Sequence, residues 1–250
     1  MTREAAPAAA PIDVATRETA DFLASSLPPG ARVLEVGCGE GHVAAELQRR
    51  GFAPIALDAD PAAVAAARAL GADARTARWP ECDVDAADAV AFTRSLHHLP
   101  SLDEALLAAR RRLPAGAPIL VEDFAPEALD AATLGWFAAR LRSPRAQALL
   151  RPRQGGVVAK LRRGDPFAAW LEDRRRHRVH PLAAMAGAMA RHTAGLAVTA
   201  APYFYRYLIP ALPATPEAAA FVADELEEER RRIAAGAIVP LGRRLAGRVR

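Results

Sequence analysis

The sequence predicts an α/β protein whose mostly parallel sheet is covered by helices on both faces. Three observations point there. From residue 31 to residue 123, short apolar runs of strand length alternate with helical patterns. Those runs are continuously Val, Leu, Ile and Ala, as strands buried on both faces require. A glycine-spaced turn joins the first run to the helix behind it.

The elements follow in order. Residues 1–12 are Ala/Pro-rich and read as a disordered tail. A helix is expected from about Ile12 to Ser26, broken by LPPG at 27–30. ARVLEV (31–36) reads as a buried strand, and GHVAAELQRRG (41–51) as a helix closed by Gly51. APIALD (53–58) is the second strand. PAAVAAARALG (61–71) is a helix with proline at its first turn and glycine at its end. ADARTA (72–77) is a weak third strand and DAVAFT (88–93) the fourth. SLDEALLAARRRLPAG (101–116) has Ser101 as cap and Glu104 three residues later, a capping box. APILVED (117–123) is the fifth strand.

Residues 124–180 break this rhythm with helical patterns, arginine clusters and two tryptophans. They read as an insertion within a single domain spanning 13–250. PLAAMAGAMARH (181–192) is helical again. GLAVTAAPYFYRYLI (195–209) reads as two strands turning near Ala201 and Pro202, which would put Tyr203, Tyr205 and Tyr207 on one face. The last pattern, TPEAAAFVADELEEERRRIAAG (215–236), is a long amphipathic helix whose acidic and basic run suits ion pairing along its own surface. No internal repeat is visible.

Composition narrows the function classes. The chain has 250 residues, 52% of them hydrophobic, enough for a sizeable core. Its net charge of +4 comes from arginines scattered among acids and points only weakly to an anionic partner. Two cysteines, Cys38 and Cys82, cannot build a disulfide framework or a four-ligand zinc site, so a reduced, cytoplasmic protein is expected. The start lacks the apolar core of a signal peptide, and no stretch has the ~18 unbroken apolar residues of a membrane span.

The glycine turn carries most of the chemistry. Gly37, Gly39 and Gly41 follow a strand and open a helix, but a dinucleotide-binding turn wants its third glycine one residue later, where His42 stands. Glu35 and Glu40 bracket the turn; a carboxylate repels phosphate and attracts an ammonium group. Asp58 ends the second strand, where an acidic residue grips ribose hydroxyls. A nucleoside with an amino-acid tail and no phosphate describes S-adenosylmethionine.

With LEVGCGEG at the turn, ALDADP at the second strand and FTRSLHHLPSLDEALLAARRRLPAG beyond the fourth, the sequence resembles the class I S-adenosylmethionine-dependent methyltransferases. The last stretch is most similar to the small-molecule branch containing the quinone-biosynthesis enzymes. The resemblance runs from Ala31 to Asp123. It implies a Rossmann-like doubly wound sheet of about seven strands with an antiparallel last strand, and S-adenosyl-L-methionine as cofactor. It also implies roles for residues. Glu35 and the backbone of Gly37, Cys38, Gly39 and Gly41 would face the methionine part. Asp58 would hold the ribose, with Ala59 beside the adenine. Thr93 and Arg94 would border the methionine end. At the third strand the family often has an acid, whereas here Arg78 and Trp79 stand near that place; Trp79 could pack on the adenine, though a tryptophan after a strand is more often core.

Other residues keep two readings. His97 and His98 could remove a proton from the attacking group, or merely line the pocket. Their adjacency does not suit a metal, which wants helical ligands three or four apart. Glu122 and Asp123 could bind a substrate hydroxyl or amine, or cap the next helix. RRRHRVHP (174–181) could attract a carboxylate or be a solvated helix face. Methyl transfer to a small molecule is the expected activity, with the helical insertion and first helix as lid. Another sulfonium chemistry or a regulatory binding role stays open. Nucleic-acid methylation is disfavoured, because TRSLHH (93–98) lacks the Pro-Pro-aromatic motif of base N-methylation.

Overall fold

The computed structural model describes residues 8–84, 86–151, 156–177 and 179–250. Its elements, in chain order, are α1 (Pro11–Ala24), β1 (Arg32–Val36), α2 (His42–Arg49), β2 (Ala53–Asp58), α3 (Pro61–Ala69), β3 (Ala74–Thr76), β4 (Ala89–Thr93), α4 (Leu102–Arg111) and β5 (Pro118–Phe124). Then follow α5 (Ala131–Leu141), α6 (Pro144–Leu149), α7 (Val157–Leu161), α8 (Pro166–Arg176), α9 (Leu182–His192), β6 (Thr193–Ala201), α10 (Phe204–Leu208), α11 (Pro216–Ala234) and β7 (Gly242–Val249).

The chain forms two compact units. The first is the sheet unit: residues 16–125, 179–200 and 242–250. Its seven strands lie in the order β3-β2-β1-β4-β5-β7-β6. β1 pairs in parallel with β2 and β4, as do β2 with β3 and β4 with β5, whereas β7 runs antiparallel to β5. This is the doubly wound, Rossmann-like arrangement that the resemblance implies. β4 is buried along its whole length and β5 nearly so, which explains why neither alternates. Leu34, Val36, Phe92, Ile119 and Val121 pack on one side of the sheet with Leu106 of α4 and Met185 of α9. Val33, Ala89, Ala91 and Leu120 pack on the other with Leu23 of α1 and Leu47 of α2.

Local chemistry sets the helix starts. Asp60 caps α3 by accepting from the Ala62 amide, with Pro61 at the first position. Ser101 caps α4 by accepting from the Glu104 amide at 3.3 Å, as the capping box predicts. The strand order reverses between β1 and β4. Ligands of open α/β sheets bind outside the carboxyl ends of the strands at such a reversal.

The second unit joins residues 8–15, 126–151, 156–177 and 201–241, the described part of its span, and its regular elements are helices. Helices α5 to α8 lie within the range read as a helical insertion. Two expectations need correction. Pro11 and Ile12 are already helical, so a disordered tail through residue 12 is too long; residues 1–7 lie outside the described residues. The second half of GLAVTAAPYFYRYLI is not a strand: β6 ends at Ala201, and Phe204–Leu208 is the helix α10. The cause is tertiary. The carboxylate of Glu229, on α11, accepts from the amides of Tyr203, Phe204 and Tyr205 at 2.6, 3.0 and 3.2 Å. These are the donors a helix start leaves open, and a buried acceptor for them overrides β propensity. Tyr203, Phe204, Tyr205 and Leu208 are buried, so the reading of this stretch as core packing stands.

The seventh strand is instead β7, GRRLAGRV, which the sequence did not announce. Its arginines mask it, yet it pairs with β5 from Gly242 opposite Phe124 to Arg248 opposite Pro118. On α11, Arg232 pairs with Glu228 along the helix, as expected. Glu225 instead binds Arg140 of α5 at 2.6 and 2.9 Å, and Asp224 binds Arg145 of α6 at 2.5 Å.

Candidate functional site

The glycine turn is built by its neighbours. The Gly37 and Cys38 amides both donate to the Leu57 carbonyl, at 2.8 and 2.9 Å, which folds the turn over the end of β2. Gly37 has φ 74°, and a Cβ there would lie 2.4 Å from Ser95 Cβ. The Ser95 hydroxyl donates to the Val36 carbonyl, tying the loop after β4 to the turn. Gly41, also at positive φ, touches Ala67 of α3 and so serves helix packing. Gly39 differs: a Cβ there would meet no protein atom within 4 Å. The turn therefore leaves space at its middle glycine and is closed at the other two.

Beside it lies a cavity of about 400 Å³, walled by Gly37, Leu57, Asp58, Ala59, Ala77, Arg78, Trp79, Arg94, Ser95, His98 and Leu99, among others. Six of the expected cofactor residues thus meet there: Gly37, Asp58, Ala59, Arg78, Trp79 and Arg94. A larger groove of about 870 Å³ runs past Arg32, Ala53 and Asp73, at the opposite, amino-terminal ends of the strands. It is remote from the turn, and the strand-end rule favours the smaller cavity.

Asp58 is more occupied than a ribose ligand need be. Its Oδ2 accepts from the Gly39 amide at 2.8 Å and its Oδ1 from the Asp60 amide at 2.9 Å. A carboxylate has about four acceptor sites, so two are left for hydroxyls. Asp58 both shapes the turn and presents acceptors to the cavity. Trp79 is both core and wall: its indole donates to the Ala105 carbonyl at 3.1 Å and meets Phe92 edge-on.

Glu35 is fully buried at the end of β1. Its Oε1 accepts from the Thr93 hydroxyl at 2.6 Å, whereas Oε2 has no hydrogen-bond partner. Burial pushes its carboxyl up to about 7; the Thr93 hydroxyl, the Arg94 charge and the Ala44 amide pull the other way. Cys38 points its thiol at the Gly39 carbonyl. Burial, reinforced by Glu35 and Asp58, pushes this thiol up to about 12, so it stays protonated and is no nucleophile. Glu35, Cys38, Gly39, Gly41 and Thr93 support the turn and do not line the cavity wall.

The two histidines separate. His98 is exposed and lines the cavity. His97 is buried, its Nδ1 2.6 Å from Asp123 Oδ1 but out of line for a hydrogen bond, with the Phe124 ring edge-on. The His97 carbonyl accepts from the His180 amide at 3.1 Å, so the last histidine of RRRHRVHP belongs to this packing. Asp130, not Glu122 or Asp123, caps α5; Asp123 accepts instead from the Phe124 amide at 2.9 Å and the His97 amide at 3.4 Å. Glu122 is buried, its Oε1 accepting from Thr19 and Arg94 at 2.6 and 3.2 Å, its Oε2 from Arg244 at 3.0 Å. Sequence reasoning missed Thr19, Ser95 and Arg244. Thr19 and Arg244 come from the two ends of the chain, and only Ser95 lay within a motif already in view. Among the described residues, no group of three or more His, Cys, Asp or Glu is arranged to hold a metal, and no helix is long and apolar enough to cross a membrane.

Comparison with known proteins now bears on this geometry. A family model described as a methyltransferase domain matches residues 10–201. No curated protein matches the sequence. Among solved structures, an S-adenosylmethionine-dependent methyltransferase from Mesorhizobium loti aligns with a TM-score of 0.54 at 18% identity, over 93% of this chain and 99% of that one. Geranyl diphosphate C-methyltransferase from Streptomyces coelicolor, solved with Mg2+, geranyl diphosphate and S-adenosyl-L-homocysteine, gives 0.56 at 14% identity, over 94% and 80%. At these identities the likeness is one of fold.

Proposed function

This chain belongs to the methyltransferase-domain family, and from that premise we propose that it moves the methyl group of S-adenosyl-L-methionine to a small organic molecule by direct in-line displacement. The observation that carries the reading is Glu35: a fully buried carboxylate behind the glycine turn, with one oxygen lacking a hydrogen-bond partner. An unmatched buried acceptor is costly unless a ligand supplies the donor. Together with Asp58 it makes the turn hostile to phosphate and suited to an ammonium group.

S-adenosylmethionine, when bound, supplies a methyl group already activated on a sulfonium. The protein is left with alignment and exclusion of water, which can lower a barrier by about 7–11 kcal/mol in favourable cases. Asp58 orients the ribose through its two open acceptor sites, while Ala59 and Trp79 flank the adenine and Arg78 forms the rim. Thr93 holds Glu35 toward the amino group. In this reading His98, exposed in the cavity, takes a proton from the acceptor, while His97 is held in the packing. In the helical unit, Phe137 and Trp170 pack with Tyr203 and Tyr207 in a buried aromatic cluster that belongs to its core. Two free thiols suit a reducing, cytoplasmic setting.

Binding of isotope-labelled S-adenosylmethionine to the pure protein tests the base of this reading. Saturable binding that is lost in Asp58→Ala supports it; no saturable binding sinks it. Mass spectrometry of reaction mixtures then reads the chemistry. An acceptor that gains a methyl group supports transfer, whereas loss of the aminobutyryl part of the cofactor would mean a different sulfonium reaction.

A further inference from the structure

Arg94 is the only non-glycine residue with positive φ, 62°, among those described. A bulky side chain in that conformation is strained, and such strain persists only where the surroundings hold it. The surroundings here are specific. The Arg94 amide donates to the Glu122 carbonyl at 2.7 Å. Its Nη1 reaches Glu122 Oε1 at 3.2 Å and Thr19 Oγ1 at 3.4 Å. Glu122 in turn is held from the far side by Arg244 Nε at 3.0 Å, and the Arg244 guanidinium lies 3.7 Å from Glu18. One face of the guanidinium is thus spoken for. Its Nε and Nη2 bond to nothing among the described residues, and the side chain, 30% exposed, forms part of the cavity wall.

The neighbouring residue sharpens the picture. Thr93 holds Glu35, and the Arg94 charge is felt at Glu35. Consecutive residues of one strand end therefore hold a buried acid behind the turn, through Thr93, and set a base in the cavity wall. That is the arrangement a zwitterionic amino-acid tail needs: a carboxylate for the ammonium, a guanidinium for the carboxylate.

Resting on the reading above, we infer that Arg94 binds the carboxylate of the cofactor's amino-acid tail, and that Glu122 and Arg244 are positioning residues that hold its guanidinium in the strained pose. The strand β7 thereby acts on the cofactor site through Arg244.

Two ligands that differ by that tail test the assignment by calorimetry: S-adenosyl-L-homocysteine, and 5′-methylthioadenosine, which lacks the amino-acid part. Arg94→Gly is the chosen variant, because glycine takes φ 62° without strain. It is expected to weaken S-adenosylhomocysteine by about 10- to 100-fold while changing methylthioadenosine by no more than about twofold. Arg244→Ala should lose selectivity in the same direction by a smaller factor, and Arg244→Lys should restore part of it. Equal losses for both ligands would make Arg94 a mere prop of the cavity and overturn the inference. So would undiminished S-adenosylhomocysteine binding, which would leave the guanidinium to an acceptor's carboxylate. Should Arg94→Gly fail to fold, Arg94→Gln carries the same comparison. Binding of neither ligand to the unaltered protein would instead defeat the proposed function itself.

Discussion

Two buried glutamates, one in each unit, have the same charge chemistry and opposite circumstances. Glu35 and Glu229 are both pushed up to about 7, in each case chiefly by burial. Glu229 is matched on both oxygens: three amides of one helix start converge on them. Glu35 accepts one hydroxyl and leaves Oε2 empty. Burial marks both as consequential, and partner count tells them apart. A carboxylate fully matched by the chain is building the fold; one left short is waiting for something the chain does not contain.

The largest effect expected from this contrast is on stability. Glu229→Ala strands the amides of Tyr203, Phe204 and Tyr205 in the interior. Unsatisfied buried donors cost about 1–3 kcal/mol each, so urea unfolding should show a loss of at least about 3 kcal/mol. Glu35→Ala removes the bond from the Thr93 hydroxyl and the weaker pull of the Ala44 amide, and should cost less. Equal losses would erase the distinction between the two sites.

Next comes pH. Both carboxyls have folded values above the usual 4.5, so each binds more protons folded than unfolded between 4.5 and about 7. Stability therefore falls as pH rises through that window, by at most about 3 kcal/mol for each group. Asp103, Asp130 and Glu228 are shifted down and act oppositely, their contribution disappearing as pH drops below the normal carboxyl range. Unfolding free energy should peak near the bottom of the 4.5–7 window. Glu35→Gln and Glu229→Gln should each flatten the decline above it. The sharper test adds S-adenosylhomocysteine: a bound ammonium favours the charged Glu35, so saturating ligand should remove the Glu35 share and spare that of Glu229.

The same contrast explains what the sequence could reveal. The alternating strands and helices of the parallel sheet, the turn, Asp58 and the cap at Ser101 were legible because each depends on neighbours within a few positions or on a fixed strand–turn–helix spacing. Capture of Tyr203–Tyr205 by Glu229 joins residues more than twenty positions apart, and nothing local forbids PYFYRYL from being a strand. β7 was hidden likewise: its arginines spoil the apolar pattern, yet Arg244 is bound by Glu122, which precedes it by 122 positions. The pair His97 and His98 was visible as a pair, but its division into a packed ring and a cavity ring depends on Asp123 and Phe124, contributed by another strand.

The smallest effect, at Gly39, comes from separating two glycines that the sequence presents as equivalents. Gly37→Ala should cost about 2–4 kcal/mol, since the new Cβ would collide with Ser95 and also sit at φ 74°. It should weaken cofactor binding only through that displacement. Gly39→Ala meets no protein atom and pays little beyond its left-handed backbone, about 1–2 kcal/mol. The Gly39 amide is also held by Asp58, which keeps the turn in place. Its added methyl therefore occupies space that the fold itself does not use. If that space belongs to the cofactor, calorimetry will record for Gly39→Ala a loss of S-adenosylhomocysteine affinity out of proportion to its small loss of stability. If affinity and stability fall together in both variants, the open middle of the turn is only open, and the case for a ligand there must rest on Glu35 alone.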